Sequence, residues 1–411
     1  MKVLLISAFP PTKHNVGVPS ALPFYLAEAK PAGTELHLMY YKGFEKKEQL
    51  FLTDLNPIFS KITTVKKTGP LKYYLLKILQ KLSLNRAFQG NYLHYIPSSK
   101  IIKAIEDTHY DLIWLYPNML FNWYKALSKF NVVMTGPDCS YLHYRLVSEM
   151  YKPNGPEANG KMLGHSQVKN LAMLKDFAFA LEKKWSKSNA LIHVVGKDDL
   201  KMYEYIGALN HSFFSNHPHY IYRSIKEQIN DAKGKLTVLI SGVNHSIYHG
   251  NFLDRIVAEL FNNIELSKHY KLLFLGKGFE DIDTQLLKAG YETTVISWVD
   301  SYEELISNAH IQLFPIILGT GTKGKVLSAL ATGLLAIGTK YAFENIDIAN
   351  NCITVDNEVQ VVAALNDILR NKSRYTEMAS ISSEMVKTLY APAKTGADFW
   401  NYILNRFALK N

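Results

Sequence analysis

Cysteine is scarce in this 411-residue sequence, since only Cys139 and Cys352 occur and they lie far apart. Two distant cysteines exclude a disulfide framework and the paired spacing of a zinc site, and they favour reduced thiols in the cytoplasm. No run of 18 apolar residues occurs, so we expect no membrane-spanning helix. The apolar start, residues 1–9, meets Pro10 too soon for a signal peptide and predicts a buried first strand.

The composition excludes a disordered chain, with 47% hydrophobic and 20% charged residues. The length exceeds that of one ordinary core, which favours two domains. No cluster of carboxylates has metal-ligand spacing, so we predict no metal site and no bound cofactor.

The positive charge is concentrated in the first half of the chain. Residues 1–225 hold 28 Lys and Arg against 16 Asp and Glu, a net charge of +12, whereas residues 226–411 hold 18 against 20, a net charge of −2. The segment from Lys61 to Arg86 contains no acid. Within it, Lys72, Lys77 and Lys81 are spaced at helical intervals among Leu, Ile and Tyr, a pattern suited to an anionic membrane surface. The alternative is a core helix with a solvated lysine face. No nucleic acid is expected, because the sequence has no recognised DNA- or RNA-binding module.

Alternating apolar and helix-like segments predict an α/β fold with parallel sheets. The first series of expected strands is Val3–Ala8, Glu35–Tyr41, Leu112–Leu115, Val132–Thr135 and Ala190–Val195, with helices over 20–30, 98–107, 121–129 and 168–187. The second series is 236–240, 271–275, 294–296, 311–314, 334–337 and 352–355. We predict an N-terminal domain over 1–217, a linker over 218–235, a second domain over 236–390 and a returning C-terminal helix over 391–411.

The most informative segment follows the apolar run 311–315. It reads Gly319-Thr320-Gly321-Thr322-Lys323-Gly324-Lys325 and leads into the helix-like residues 326–332, which end at Gly333. Backbone N–H groups at a helix N-terminus, together with two ammonium groups, suit a phosphate or diphosphate. The alternative is a glycine-rich turn that only packs an α/β domain.

Other motifs occur along the second half of the chain: the strand and loop ending in Gly242, the turn Gly276-Lys277-Gly278, the aromatic turn at Trp298 and the turn at 343–346. Together with the loop that holds Lys323 and Lys325, and in this order, they resemble the GT-B glycosyltransferases, especially the family 4-like enzymes of bacterial surface polysaccharide assembly. The resemblance implies two doubly wound Rossmann-like domains facing a central cleft. The acceptor would bind to the first domain and the donor to the second.

The resemblance assigns donor contacts to the second domain. These residues are Gly242, Asn244, His245, Gly276, Lys277, Gly278, Trp298, Val299, Gly319, Thr320, Gly321, Thr322, Lys323, Lys325, Ser328 and Glu344. Acceptor contacts are expected from His14, Asn15, Gly17 and Arg145. Asp138 follows a predicted strand and is the candidate catalytic group, which would orient an acceptor hydroxyl. Its alternative role is that of a helix N-cap.

The chain departs from the family pattern at the two glutamates that usually lie eight positions apart. These positions hold Thr320 and Ser328, and Val243 stands where an arginine is usual. The charge of the diphosphate would then be balanced mainly by Lys323, Lys325 and the helix N-terminus, helped by His245 or His249.

The resemblance implies metal-independent, retaining transfer from a UDP- or GDP-sugar to a saccharide or lipid-linked acceptor. It also implies a cytoplasmic protein, or one peripheral on the inner face of the cell membrane. Two alternatives stay open: a nucleotide-sugar epimerase of the same fold, and a catalytically silent partner or scaffold protein.

Overall fold

The computed structural model describes residues 1–13, 20–42, 48–82, 94–136, 138–152, 165–219, 223–244 and 247–409. These residues form two compact units. Unit 1 contains Met1–Leu142, Leu174–Pro218 and Pro392–Asn411, and unit 2 contains His143–Met173 and His219–Ala391. The segment His143–Met173, which we expected in the first domain, therefore groups with unit 2.

Unit 1 is built on a parallel sheet with the order β3-β2-β1-β4-β5-β6-β7 in the described residues. Its strands are β1 (Lys2–Ser7), β2 (Glu35–Tyr41), β3 (Lys61–Val65), β4 (Leu112–Tyr116), β5 (Val132–Thr135), β6 (Leu191–Val194) and β7 (Ser212–Phe214). The strands other than β3 are mostly buried, as expected for parallel strands covered by helices on both faces.

Eight α-helices occur among these strands in the described residues up to Tyr203. They are α1 (Ala21–Glu28), α2 (Glu48–Leu55), α3 (Pro70–Leu82), α4 (Ser99–Glu106), α5 (Tyr124–Leu127), α6 (Ser140–Tyr151), α7 (His165–Ser186) and α8 (Lys197–Tyr203). A 3₁₀ turn, Asn118–Trp123, precedes α5, so the helix expected over 121–129 is split into two short pieces.

Unit 2 has a parallel sheet with the order β10-β9-β8-β11-β12-β13 in the described residues. Its strands are β8 (Leu236–Val243), β9 (Tyr270–Lys277), β10 (Glu292–Ile296), β11 (Ile311–Phe314), β12 (Leu335–Gly338) and β13 (Ile353–Thr354). Its later helices are α9 (Phe252–Asn262), α10 (Glu280–Lys288), α11 (Tyr302–Ile306), α12 (Gly324–Thr332), α13 (Glu358–Arg370) and α14 (Lys372–Leu389). The fold class expected from the sequence is confirmed, because each unit is a doubly wound α/β layer structure.

The last helix, α15 (Pro392–Phe407), belongs to unit 1 and packs against α1. A Cβ atom at Gly396 would lie 2.2 Å from Cβ of Ala29, so only glycine permits this approach. Nε1 of Trp400 donates a hydrogen bond of 2.7 Å to the carbonyl of Leu26, and the rings of Phe399 and Trp114 are 5.0 Å apart.

A series of buried side-chain hydrogen bonds links neighbouring strands in the unit 1 sheet. Nε1 of Trp114 donates to Oγ1 of Thr135 at 2.8 Å, and that oxygen lies 3.1 Å from Nδ1 of His193. Nε2 of His193 is 2.8 Å from Oγ of Ser215. Burial, with a smaller contribution from His217, lowers the pKa of His193 to about 3, so this imidazole is neutral at pH 7.

Candidate active site

The predicted donor residues of unit 2 follow the carboxyl ends of its parallel strands. Strands β8, β9, β10, β11 and β12 all point to one edge of the sheet, so the loops that follow them share this edge. The strand order reverses between β8 and β11. The loops after these two strands therefore lie at the topological switch point, where doubly wound sheets bind their ligands.

Glycine is required where the ends of β8 and β9 meet. A Cβ atom at Gly276 would lie 1.6 Å from the carbonyl oxygen of Gly242, which is a direct clash with backbone. Both glycines also have positive φ angles, 136° at Gly276 and 149° at Gly242. Nδ2 of Asn244 donates a hydrogen bond of 2.8 Å to the carbonyl of Gly278, which ties the two loops together. Lys277 ends β9 and is exposed.

The loop after β11 leads into α12, as the sequence predicted. Gly333 ends the helix with a left-handed φ of 96°, which confirms the expected stop. Nζ of Lys323 donates to the carbonyl of Gly321 at 2.8 Å and lies 3.2 Å from Oε2 of Glu344. A Cβ atom at Gly319 would come within 3.0 Å of Cε of Lys323, so this glycine leaves room for the lysine side chain.

Lys325 differs from Lys323 in its surroundings. Its side chain is exposed and forms no ion pair within the part of the chain that the structure describes. Neighbouring protein atoms still desolvate the ammonium group and thereby lower its pKa. An exposed cation in the first turn of α12 is available to an incoming anion, whereas Lys323 must first exchange its contact with Glu344.

The two positions that depart from the family pattern also lie near α12. Oγ of Ser328 is part of a buried side chain and donates back to the carbonyl of Gly324 at 3.0 Å. Thr320 and Thr322 are half-buried in the loop before the helix. The hydroxyl proton of Ser328 is thus used within its own helix, and its oxygen retains acceptor capacity.

At the end of β10, Trp298 is 74% exposed and Val299 is half-buried. An exposed indole at the edge where strands end is unusual for a side chain that normally packs inside, and it offers a flat face for stacking. The predicted position of Trp298 at this edge agrees with the strand order.

In unit 1, Asp138 follows β5 and is half-buried. The pKa of Tyr116 is raised mainly by the burial of that tyrosine and, to a smaller extent, by the negative charge of Asp138. The backbone N–H of Cys139 donates to Oδ1 of Asp199 at 2.7 Å, and the N–H groups of Ser140 and Tyr141 donate to Glu182 at 2.7 and 3.0 Å.

The sequence reasoning missed Glu182 and Asp199 as the residues that cap α6. Burial raises the pKa of Glu182 to about 7, although its hydrogen bonds with Cys139, Tyr141 and Ser140 act in the opposite direction. A usable signal was present in the sequence. Glu182 lies on the same helical face as Leu181, Ala178 and Trp185, which are buried, and an acid on an apolar face needs partners.

His143 of unit 2 is a further titratable group whose surroundings include Lys323. Burial, followed by the charge of Lys323, lowers the pKa of His143, so these two groups belong to one electrostatic environment. The ring of His143 lies 6.1 Å from the ring of Tyr248. Nε of Arg145, two residues further on in α6, lies 3.9 Å from Oε1 of Glu149.

Several predicted residues fall outside the described part of the chain, namely His14, Asn15, Gly17 and His245. Among the described residues, no group of three or more His, Cys, Asp or Glu side chains has the arrangement of a metal site. No helix in the described ranges is both long and apolar enough to cross a bilayer.

Helix α3 carries the predicted membrane-binding lysines and is amphipathic. Lys72 is exposed, and Lys77 and Lys81 lie on the same helix. Four large apolar residues are exposed at intervals of three and four. They are Leu71, Tyr74, Leu75 and Ile78, with exposures of 87%, 62%, 56% and 54%. This face is therefore not part of the described core.

Known proteins share this architecture at low sequence identity. A glycosyltransferase from Rickettsia africae superposes with a TM-score of 0.63 at 12% identity, covering 100% of this chain and 99% of that one. HepE from Anabaena, in complex with UDP, gives 0.60 at 13% identity over 98% and 100% of the two chains. A UDP-GlcNAc 2-epimerase from Neisseria meningitidis, bound to UDP-GlcNAc, gives 0.54 at 11% identity over 98% and 100%. These similarities establish the fold.

The sequence comparison is more specific than the fold. No curated protein matches the chain significantly. Residues 235–371, however, match the family described as glycosyl transferases group 1, and this range contains β8 to β13 and every described donor-site residue named above. Residues 235–371 thus carry a region similar to the glycosyl transferases group 1 family, and the chain as a whole has the two-sheet GT-B fold of the similar structures.

Proposed function

We propose that this enzyme transfers a sugar from a UDP- or GDP-sugar to a saccharide or lipid-linked acceptor in bacterial surface glycan assembly. Unit 2 would bind the donor and unit 1 the acceptor. The observation that carries the proposal is the position of Lys325 and the N-terminus of α12 at the switch point of the unit 2 sheet.

The donor diphosphate would lie against the backbone N–H groups that begin α12. Lys325 would contact it directly, and Lys323 would join after exchanging Glu344 for a phosphate oxygen. Trp298 would stack on the base, and Glu344, once separated from Lys323, would accept hydrogen bonds from hydroxyl groups of the transferred sugar. The fixed positive charge would stabilise the leaving diphosphate as the glycosidic bond breaks.

These groups supply positive charge where the leaving group develops negative charge, which supports transfer without a metal ion. No enzymic nucleophile is assigned. The acceptor hydroxyl would attack on the face that the diphosphate leaves, and its proton would pass to a departing phosphate oxygen, which retains the anomeric configuration. Asp138 would orient the acceptor hydroxyl, and the contacts of Glu182 and Asp199 would hold the turn on which it lies.

Association with an anionic membrane would bring a lipid-linked acceptor to unit 1. The exposed apolar face of α3 and its lysines support this part of the proposal, because interfacial helices combine these two features. The peripheral location follows from it, on the inner face of the cell membrane.

Hydrolysis of a donor panel by purified enzyme tests the transferase proposal. We expect slow hydrolysis of one nucleotide sugar, at least tenfold slower in Lys325→Ala, which corresponds to about 1.4 kcal/mol. Lys288→Ala is the matched control, because Lys288 is exposed and ends α10, at the opposite edge of the sheet. No turnover with any donor would favour a silent scaffold protein. Reversible change of the sugar at C2, without transfer, would favour the epimerase.

Sedimentation with anionic vesicles tests the membrane proposal. Changing Lys72, Lys77 and Lys81 to Glu should abolish binding, and changing Leu71, Leu75 and Ile78 to Ser should weaken it at unchanged net charge. The charge-matched control changes Lys100, Lys103 and Lys125, which are exposed elsewhere on unit 1, to Glu. Equal loss in the control and the α3 variant would show a nonspecific charge effect, and absence of wild-type binding would remove this part of the proposal.

A further inference from the structure

The imidazole of His249 is buried without a full set of hydrogen bonds. The side chain is 6% exposed, and Nδ1 has no hydrogen-bond partner in the described part of the chain. A buried polar atom left unpaired costs about 1 to 3 kcal/mol. Such atoms are uncommon in folded proteins, and each calls for an explanation, such as a functional role or a missing water or ion.

His249 lies at the same strand-end edge as the loop that begins α12. Its Cε1 atom is 3.2 Å from the position that a Cβ on Gly242 would take, so the ring fills the space that this glycine leaves open. The charge of Lys325, in the first turn of α12, acts on the ring. The orphaned nitrogen, an exposed cation and a helix N-terminus therefore occur together at the switch point.

Without a ligand the imidazole is neutral at pH 7. Burial is the larger cause and Lys325 the smaller, and together they lower its pKa to about 4. A bound diphosphate would change the effect of the surroundings, because its negative charge favours the protonated ring and outweighs the repulsion from Lys325.

We propose that His249 binds the donor diphosphate in its protonated form, so that donor binding takes up one proton from solvent. This inference rests on the proposed function of unit 2. Nδ1–H of the imidazolium would donate to a phosphate oxygen, which satisfies the orphaned atom in a charge-assisted hydrogen bond. Because the complex carries one more proton than the free enzyme, donor affinity falls as pH rises.

Other titratable groups act at this edge and must be separated from His249. They are Lys325 and Lys323 from the loop and first turn of α12, Glu344 from the loop after β12, and His143 from α6. Both lysines are retained in His249→Gln, so any pH dependence that they contribute would remain in that variant. His143 is the second histidine that could respond to an anion, so it needs its own control variant.

Isothermal titration with UDP-glucose and GDP-mannose at pH 6, 7 and 8 tests the inference. Neither diphosphate diester titrates in this range. For the probe that binds wild-type enzyme, we expect Kd to rise at least tenfold from pH 6 to pH 8. Repeating the titration at pH 7 in two buffers of different ionisation enthalpy should show uptake of half to one proton per donor bound.

Three variants assign the proton. His249→Gln should bind more weakly at pH 6 and lose the pH dependence, whereas His249→Lys should bind at all three pH values with nearly constant Kd. His143→Gln should keep the wild-type profile. If His249→Gln does not fold, the inference is tested by the number of protons that the wild-type enzyme takes up and by the pH dependence of Kd in His249→Lys.

Two results would overturn the inference in different ways. Donor binding by wild-type enzyme without proton uptake, or with the same pH profile in His249→Gln, removes the role of His249 and leaves the proposed function intact. Failure of wild-type enzyme and all variants to bind either sugar nucleotide at any of the three pH values removes both.

Discussion

His193 of unit 1 and His249 of unit 2 are both buried histidines with lowered pKa values, but they differ in their partners. Both ring nitrogens of His193 lie within hydrogen-bond distance of hydroxyl groups, those of Thr135 and Ser215. Nδ1 of His249 has no such partner in the described structure, and the charge of Lys325 acts on the ring. Burial alone therefore does not distinguish the two histidines. The proposal for His249 depends instead on its unpartnered nitrogen and on the charge of Lys325.

An acid from each unit, the buried Glu182 of unit 1 and the partly buried Glu344 of unit 2, shows the same difference. Glu182 accepts two backbone hydrogen bonds at the start of α6 and lies 3.1 Å from Sγ of Cys139, so its position is fixed by several partners. Glu344 is paired with the ammonium group of Lys323, which an anion could replace. Unit 1 thus uses its buried polar groups to hold a scaffold, whereas unit 2 keeps polar groups whose partners can change.

The largest expected effect is a loss of stability of unit 1 when Glu182 is replaced. Glu182→Ala should lower the free energy of unfolding of unit 1 by about 3 kcal/mol, because it leaves two N–H groups of α6 buried without acceptors. Urea unfolding followed by tryptophan fluorescence measures this, since Trp114, Trp123, Trp185 and Trp400 are all buried in unit 1.

Asp176→Ala is the control for Glu182, because Asp176 is an exposed acid on the same helix, and its loss should cost less than about 0.5 kcal/mol. Thermal stabilisation by nucleotide should survive in Glu182→Ala if the two units divide their roles as argued. Equal stability of the two variants would contradict the scaffold role of Glu182.

The next effect concerns pH. The unfolded chain protonates His193 near pH 6.5, whereas the folded chain does so only near pH 3, so the unfolded state binds more protons between these values. Lowering the pH from 6.5 to 4.5 should therefore cost unit 1 stability on the order of 2 kcal/mol through this group. His193→Asn should lack this contribution.

Glu182 acts in the opposite direction, because its pKa is raised to about 7 and its contribution falls as pH rises from 4.5. The quantity to compare is consequently the free energy of unfolding of wild type minus that of His193→Asn at each pH, measured by the same tryptophan signal. A difference that stays constant from pH 6.5 to 4.5 would show that His193 does not titrate as described.

A smaller effect is expected from the exchangeable pair of unit 2. Glu344→Gln should release Lys323 and tighten binding of the nucleoside diphosphate two- to fivefold, at most about 1 kcal/mol. The same change should weaken binding of the nucleotide sugar relative to the diphosphate, because the carboxylate no longer accepts from the sugar. Titration with UDP and UDP-glucose, or their guanosine counterparts, gives the ratio of the two dissociation constants. An unchanged ratio would exclude Glu344 from the sugar site.

The smallest effect is expected at Ser328. Because its hydroxyl donates to Gly324 within α12, Ser328→Ala should change donor affinity by less than about twofold and stability by less than about 1 kcal/mol. A tenfold loss of affinity would instead show that Ser328 replaces the missing family glutamate as a donor contact. Thr332→Ala, in the same helix, serves as control because its hydroxyl also donates four residues back.

Strongly apolar strands could be predicted from the sequence. For three of them the predicted and observed bounds are identical, namely Glu35–Tyr41, Val132–Thr135 and Ile311–Phe314. The strands β3 and β7 were missed for physical reasons. The first is a half-exposed edge strand rich in Lys and Thr, and the second has only three residues. Neither carries the apolar run that a parallel strand usually shows.

The candidate site was partly predictable for a similar reason. Motifs that follow strands locate a loop at a sheet edge, and the glycines and both lysines could be placed at that edge in this way. The ion pair of Lys323 with Glu344, the cap formed by Glu182 and the orphaned Nδ1 of His249 depend on residues brought together from distant segments. No local pattern contains that information.

The central claim is that a diphosphate binds at the N-terminus of α12 against Lys325. Isothermal titration of UDP and GDP into wild type, Lys325→Ala and Lys288→Ala tests it most directly. We expect one of the two nucleotides to bind wild type and Lys288→Ala equally, and to bind Lys325→Ala at least tenfold more weakly, about 1.4 kcal/mol. Equal affinity in Lys325→Ala and wild type would place the diphosphate elsewhere and contradict the claim.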